Sequence, residues 1–412
     1  MKKLFTPLLC ILLVASMLLA TTGCATVSAE ELSAGYTRQI EVAAEIDENF
    51  AKEAAAFSFE LFRETLKEAG DNRLVSPLSA MLCLALMANG ADGETLREME
   101  EVFGMDRESL NESLYAYTTG LYNGESCKAA LANSIWFRDA EFFSVKEQFL
   151  QTNADWYGAE VYKAPFDETT QKDINLWVEG HTDGMIDSIL DEPPAESTVM
   201  YLINTLVFDA KWQVKYENSD VKERTFTNSD GNHTVVDMMY STESVLLLGE
   251  DYLGLAKNYE GNAYSFVGIL PDDFKVDILD FAASFDGEKW MTMWNGRRSA
   301  TVSAGIPEFS YDAYIPLVES LKAMGMETMF SSDADFSAMT DTDVFCSAVE
   351  QKTFIDVSRN GTKAAAVTWG TVECESAEPM ESYSVILDRP FLYAIVDNAT
   401  GLPLFIGVIQ NL

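Results

Sequence analysis

The sequence predicts a single mixed α+β body behind an export signal. Three observations carry that reading. Helix-period patterns and β-prone apolar runs are interleaved from residue 49 to the C-terminus. No internal repeat and no Pro/Gly/Ser-rich linker divides this stretch. The prior of ~150 residues per domain, about three domains for 412 residues, therefore gives way to one body. Hydrophobic residues make up 48% and charged residues 23%, the balance of a chain that buries a core and not of a disordered one.

The chain opens with Lys2 and Lys3, then an apolar run over residues 4–20. That run contains Pro7 and is too short for a comfortable membrane span. The small residues Ala20, Thr21, Thr22 and Gly23 follow, and then Cys24. Residues 1–23 therefore read as a signal peptide. A cysteine directly after Gly23 resembles the lipobox of bacterial lipoproteins, which implies that Cys24 carries a lipid and becomes the new N-terminus. Thr21 departs from that pattern, which prefers Leu there; without lipidation the chain would be secreted. Residues 24–47 are small and acidic and read as a tether to a body at 48–412.

Within the body, Phe50, Phe57, Leu61 and Leu66 predict a helix over residues 49–69 that stops at Gly70. Ser76-Pro77 is a good helix entrance to the dense apolar stretch at 78–89. Residues 131–138 and 198–210 are apolar and β-prone, long enough for buried strands. Residues 175–190 read as helical. Residues 266–270, 391–396 and 405–409 read as core strands. One stretch breaks the pattern. Residues 367–384 carry Glu373, Glu375, Glu378, Glu381 and Pro379 between two β-like segments, which predicts an exposed loop.

Charge and composition exclude several functions. Lys and Arg number 28 against 66 Asp and Glu, so the net charge is −38. Such a surface repels phosphate backbones, which excludes a nucleic-acid binder. It also excludes adsorption to anionic lipid through basic patches, so a membrane is reached only through the N-terminal lipid. The two histidines, His181 and His233, are too few for a His-rich metal site, and no metal is expected. No Gly-x-Ser-x-Gly elbow, Ser-x-x-Lys motif or phosphate-cradling loop accompanies them, so no catalytic residue is assigned and no cofactor is expected. Cys10 leaves with the signal. Cys83, Cys127, Cys346 and Cys374 are irregularly spaced and read as free or buried thiols.

Several segments in fixed order resemble the serpins, the serine protease inhibitor family. The resemblance starts at Asn72-Arg73-Leu74-Val75-Ser76-Pro77-Leu78-Ser79 and Asn89-Gly90-Ala91-Asp92-Gly93-Glu94-Thr95. It continues through Leu131-Ala132-Asn133-Ser134-Ile135-Trp136, Ile174-Asn175-Leu176-Trp177-Val178, Leu202-Ile203-Asn204-Thr205-Leu206-Val207-Phe208 and Lys211-Trp212. It ends with Gly361-Thr362-Lys363-Ala364-Ala365-Ala366-Val367-Thr368 and Asp388-Arg389-Pro390-Phe391-Leu392-Tyr393. The resemblance implies a mixed α+β serpin fold: three β-sheets, eight or nine helices, and an exposed reactive loop near the C-terminus. In that family the loop is bait. A protease cuts it, its serine becomes acylated, and the severed loop inserts as a strand of the central sheet. The protease is dragged along and distorted before water can release it.

The hinge that would insert runs from Arg359 through Gly361, Thr362, Lys363, Ala364, Ala365, Ala366, Val367 and Thr368. In a strand, Thr362, Ala364, Ala366 and Thr368 share one face, and all are small enough to slide into an occupied interior. The resemblance also places breach and shutter residues of the central sheet at Glu308, Trp212, Ser76, Pro77, Ser79, Asn204 and Gln351. Two departures stand out. Arg359 occupies a position that is usually Glu, and Glu308 lies where its Lys partner would be, an exchanged pair. Gln351 replaces a frequent His; it keeps hydrogen-bonding capacity but cannot titrate. Counting forward from Gly361, the reactive bond falls between Glu375 and Ser376.

The resemblance therefore implies an exported, lipid-anchored inhibitor of extracellular serine proteases, a monomer that forms a covalent complex with its target. Two alternatives stay open at this level. One is a non-inhibitory binding or chaperone-like member, which the small hinge disfavours. The other is inhibition of cysteine proteases by the same bait, which the loop residues do not exclude.

Overall fold

The computed structural model describes residues 27–40, 49–68, 70–362 and 381–412. In chain order these form β1 (Glu30–Glu31), α1 (Phe50–Thr65), β2 (Arg73–Val75), α2 (Pro77–Ala88), α3 (Gly93–Phe103), α4 (Arg107–Gly120) and β3 (Cys127–Arg138). Next come α5 (Glu147–Tyr157), β4 (Glu160–Ala164), α6 (Glu168–His181), β5 (Met200–Lys211), β6 (Val221–Thr227), β7 (His233–Leu248), β8 (Tyr252–Asn258) and β9 (Tyr264–Pro271). Then follow α7 (Ile278–Ala283), α8 (Gly287–Asn295), β10 (Arg298–Pro307), β11 (Phe309–Pro316), α9 (Val318–Met324) and β12 (Glu350–Ser358). The chain closes with β13 (Gly361–Thr362), β14 (Ser382–Ile386), β15 (Phe391–Asp397) and β16 (Pro403–Ile409).

Local chemistry explains the boundaries. The Ser76 hydroxyl accepts from the Ser79 N–H and Pro77 sits in the first turn, so α2 begins where the sequence predicts. This helix is buried on nearly every side, which is why its sequence is almost continuously apolar. α1 stops at Thr65, short of the expected 69. α6 starts earlier than expected, at a capping box between Asp167 and Thr170, and ends at His181. The expected continuation to 190 is not helical. Asp183 and Gly184 take positive φ angles of 51° and 71° and turn the chain back. The Asn175 side chain then accepts from the N–H groups of Ile189 and Leu190, both at 2.9 Å. Ile186, Ile189 and Leu190 thus mimic helical periodicity from a returning loop that packs against α6.

Two sheets organise the strands. The first has seven, in the order β1-β4-β3-β5-β13-β12-β11. The second runs β14-β10-β7-β8-β9-β15-β16-β2, with β6 on β7. The expected second and third sheets are therefore continuous. β7 joins them, pairing with β6 and β10 along most of its length and with β8 at its end. β15 and β16 are buried at every residue, as both faces of that sheet region are covered. Cys83, Cys127 and Cys346 carry free thiols, and burial pushes that of Cys83 up to about 12.

Part of the expected tether lies on the body. β1 pairs antiparallel with β4. The Ser28 N–H and hydroxyl donate to the Asp173 carboxylate at 3.0 and 2.8 Å, and Arg38 Nε donates to the Asp155 carbonyl at 2.7 Å. Composition alone concealed this, because polar side chains here satisfy partners more than 100 residues away in sequence.

α6 is fastened to β4 by one carboxylate. Glu160 accepts from the Trp177 indole and the Tyr162 hydroxyl, both at 2.7 Å, and faces His181 Nε2 at 3.5 Å. These bonds, with His181 first, hold the Glu160 carboxyl down at about 2. The Glu160 contact raises His181 above its ordinary 6.5, against partial desolvation. The His181 contribution to stability is full below pH 6.5 and is lost as pH rises through its raised value. The Glu160 contribution is present above 4.5 and is lost as pH falls through about 2. Thermal unfolding of wild type minus His181→Gln should therefore show an advantage at pH 5 to 6 that vanishes by pH 9; a pH-independent difference removes the clamp.

Candidate functional site

The site is the seam of the first sheet between β5 and β12. Both strands run antiparallel to β13, so they are parallel to each other. Gly361 lies between Lys211 and Ser358, and Thr362 between Ala210 and Val357. Gly361 has φ of 147°, and a Cβ there would sit 2.1 Å from the Ala210 carbonyl oxygen, so only glycine fits. Thr362 is buried, and its hydroxyl shares a 2.6 Å hydrogen bond with that of Tyr259. The threonine side chain thus points into the body, the face assigned to it from strand alternation.

The turn joining β12 to β13 is held by aromatic residues. Trp212 Nε1 donates to the Ser358 carbonyl at 2.8 Å, and the Trp212 N–H to the Asn360 carbonyl at 3.2 Å. The Tyr216 N–H donates to the Arg359 carbonyl at 3.3 Å. Trp212 stacks on Tyr259 with ring centroids 4.5 Å apart and 8° between planes. Trp212, one of the assigned breach residues, therefore packs directly beneath the hinge.

Arg359 and Glu308 meet. Arg359 Nε and Nη2 donate to the two Glu308 oxygens, both at 2.9 Å, and the Arg359 N–H adds a third bond at 2.8 Å. Asp237 stands 3.6 Å from Nη2, and Asn218 accepts from Nη1 at 3.3 Å. The Arg359 bonds hold the Glu308 carboxyl below its ordinary 4.5. The planar guanidinium fork and the carboxylate fit in the bidentate way a lysine could not reproduce.

Farther down, no ladder joins β5 directly to β12 among the described residues. A cavity of about 70 Å³ lies there, lined by Ser76, Ser79, Asn204 and Gln351 among others. Gln351 Oε1 accepts from the Ser76 N–H and its Nε2 donates to the Ser76 carbonyl, both at 2.8 Å. Ser76 Oγ also donates to the Leu404 carbonyl, and Pro77 is buried in the first turn of α2. Asn204 does not join this group. Its Nδ2 donates to Asn133 Oδ1 at 2.8 Å, while its own Oδ1 and the hydroxyl of Thr205 are buried without partners among the described residues.

The remaining assigned residues lie outside the described ones: Lys363, Ala364, Ala365, Ala366, Val367 and Thr368 of the hinge, Glu375 and Ser376 at the reactive bond, and Cys24. Tyr216, Tyr259 and Asn133 belong to the site and were not singled out from sequence.

The Arg359–Glu308 contact is testable by charge exchange. Arg359→Glu and Glu308→Lys should each lower the melting temperature, and the double variant should recover it. The coupling should be about 1 kcal/mol, and should fade as pH falls through the depressed Glu308 value. Additive single effects would show that the two side chains act independently.

Comparison with known proteins agrees with this geometry. The family model described as serpin (serine protease inhibitor) matches residues 52–412. The chain is 31% identical over 360 residues to a serine protease inhibitor of Cyanea capillata, covering 83% of this chain and 93% of that protein. Tengpin, a thermophilic serpin, in its native state superposes with TM-score 0.87 at 41% identity, covering 93% of this chain and 100% of that one. The same protein in its latent state gives TM-score 0.80 at 41% identity, covering 89% and 99%. With a family model spanning nearly the whole body and an incomplete central sheet, this chain belongs to the serpin family.

Proposed function

We propose that the chain is an exported inhibitor of extracellular serine proteases that works as a suicide substrate. The family is described as serine protease inhibitors. The single observation that supports the mechanism here is the seam. A two-residue strand occupies its top, and below it two parallel strands remain unjoined. An antiparallel strand entering there would pair with both neighbours and fill the open seam with two antiparallel ladders. In this reading the residues after Thr362 would supply that strand. Cleavage between Glu375 and Ser376 would free it, and the small residues Ala364, Ala366 and Thr368 would follow Thr362 inward. The native form is then held by a barrier and not by depth of free energy.

The same reading makes residues 1–23 a signal peptide, Cys24 the lipid-bearing residue, 24–47 a tether and 48–412 the serpin body, a monomer. Its support is the arrangement of Lys2, Lys3, the apolar run and Gly23-Cys24. No described helix is long and apolar enough to cross a membrane. Expression with and without Cys24→Ala in a bacterium fed labelled palmitate tests the anchor; label that persists in the variant removes it.

Mixing the protein with a panel of serine and cysteine proteases and running denaturing gels tests the inhibitor. A complex that survives denaturation is expected with a serine protease, and cleavage without a complex from every member overturns the proposal. Thr362→Arg should keep loop cleavage and abolish the complex, because arginine cannot be buried unpaired where the threonine lies. Mass spectrometry of the released C-terminal fragment should find a new N-terminus at Ser376. An N-terminus outside residues 374–380 would refute the loop register.

A further inference from the structure

Beneath the aromatic platform lies a buried ammonium. Lys257 is on β8, two residues before Tyr259, which follows the end of that strand. Its side chain is 2% exposed. A lysine this deep is rare unless its charge is matched. Glu243 of β7 matches it at 2.8 Å and is itself only 13% exposed. The same Glu243 oxygen accepts from the Ser241 hydroxyl at 2.6 Å, and Ser241 shares a 3.2 Å hydrogen bond with the Tyr216 hydroxyl. The ammonium also faces the ring of Tyr216 at 4.5 Å and that of Trp212 at 5.5 Å from their centroids.

These contacts converge on the hinge turn. The Trp212 indole donates to the Ser358 carbonyl, the backbone N–H groups of Trp212 and Tyr216 donate to those of Asn360 and Arg359, and Tyr259, stacked on Trp212, shares a hydrogen bond with the Thr362 hydroxyl. Every one of those carbonyl bonds must be released or rebuilt when the turn straightens into a continuous strand. An apolar residue at 257 would fill the space but would not attract the faces of the two rings. A cation held between two rings in a desolvated site attracts both and fixes their orientation.

We propose that Lys257, neutralised by Glu243, is a positioning residue for loop insertion: it holds Trp212 and Tyr216 against the turn and so sets how long the native form waits. The inference rests on the inhibitor reading above, in which the loop after Thr362 enters the seam. It assigns the delay to a charge in the second sheet, outside the strands that open.

The decisive variant is Lys257→Met with Glu243→Gln. Replacing both members of a buried pair by uncharged residues of similar size leaves global stability close to wild type, whereas Glu243→Gln alone would strand the ammonium. Two quantities are read. One is native lifetime at fixed temperature, followed by conversion to a heat-resistant species on native gels. The other is the fraction of protein cleaved without forming a complex when mixed with a protease that wild type traps. The double variant should melt near wild type but show a native lifetime shorter by about three- to tenfold and a larger cleaved fraction. Lys257→Arg, which keeps the cation, should move toward wild type. Wild-type values for lifetime and partition in the double variant overturn the proposal. A wild-type protein that traps no protease overturns the inhibitor reading instead, while the lifetime measurement still judges Lys257.

Discussion

Two parallel strands kept apart by a two-residue strand are the constraint on which the central sheet depends. β5 and β12 each carry hydrogen-bonding groups toward a neighbour that β13 supplies only at the top. The geometry at that point is narrow. Gly361 touches the Ala210 backbone so closely that no side chain is admitted, and Thr362 must turn its hydroxyl inward to Tyr259. Everything else around the turn responds to it. Aromatic residues from below take its carbonyls, and a carboxylate from the next strand connection takes its N–H and guanidinium. The turn is thereby gripped from two sides that belong to different parts of the chain.

The charges at this grip carry meaning only through their geometry. In a chain with 66 acidic and 28 basic side chains, almost any arginine finds a carboxylate nearby. The Arg359–Glu308 contact differs because one carboxylate receives two guanidinium bonds and the Arg359 N–H together. That third bond ties the ion pair to backbone position, so the pair reports whether the turn is in place. Exchanging the usual signs keeps this coupling, since a carboxylate accepts from a backbone N–H as readily as from a side chain. The reversed order even favours it, because the N–H at 359 and the guanidinium seek the same acceptor.

Much of this was legible in the sequence, and the illegible part has a physical cause. Ser76-Pro77 declares a helix start because capping is local chemistry, readable within three residues. The small residues after Gly361 and the exchanged Arg359 and Glu308 were visible through resemblance to a family, and the contact between those two is as expected. The course of residues 182–190 was not legible, since a loop packed on a helix can reproduce helical spacing without helical hydrogen bonds. Nor was the role of Tyr259 or Lys257. A tyrosine just past an apolar strand reads as core, and a lysine near the strand's end reads as turned to water. Their partners lie far along the chain, at Thr362 and Glu243, and no local pattern announces such meetings.

The short strand β1 has a consequence for how copies of the molecule meet one another. A sheet ends in unpaired backbone groups on each side, and such borders invite a neighbouring molecule to pair. On one border the sheet closes with β1, whose residues are Glu30 and Glu31, both exposed. A second copy approaching that border in register would set carboxylates against carboxylates, on a surface already far on the acidic side. The opposite border, β11, carries Asp312 outward and terminates in Pro316, which has no N–H to offer. Crowded together, these molecules should stay dispersed, with the salt concentration setting how closely they can approach.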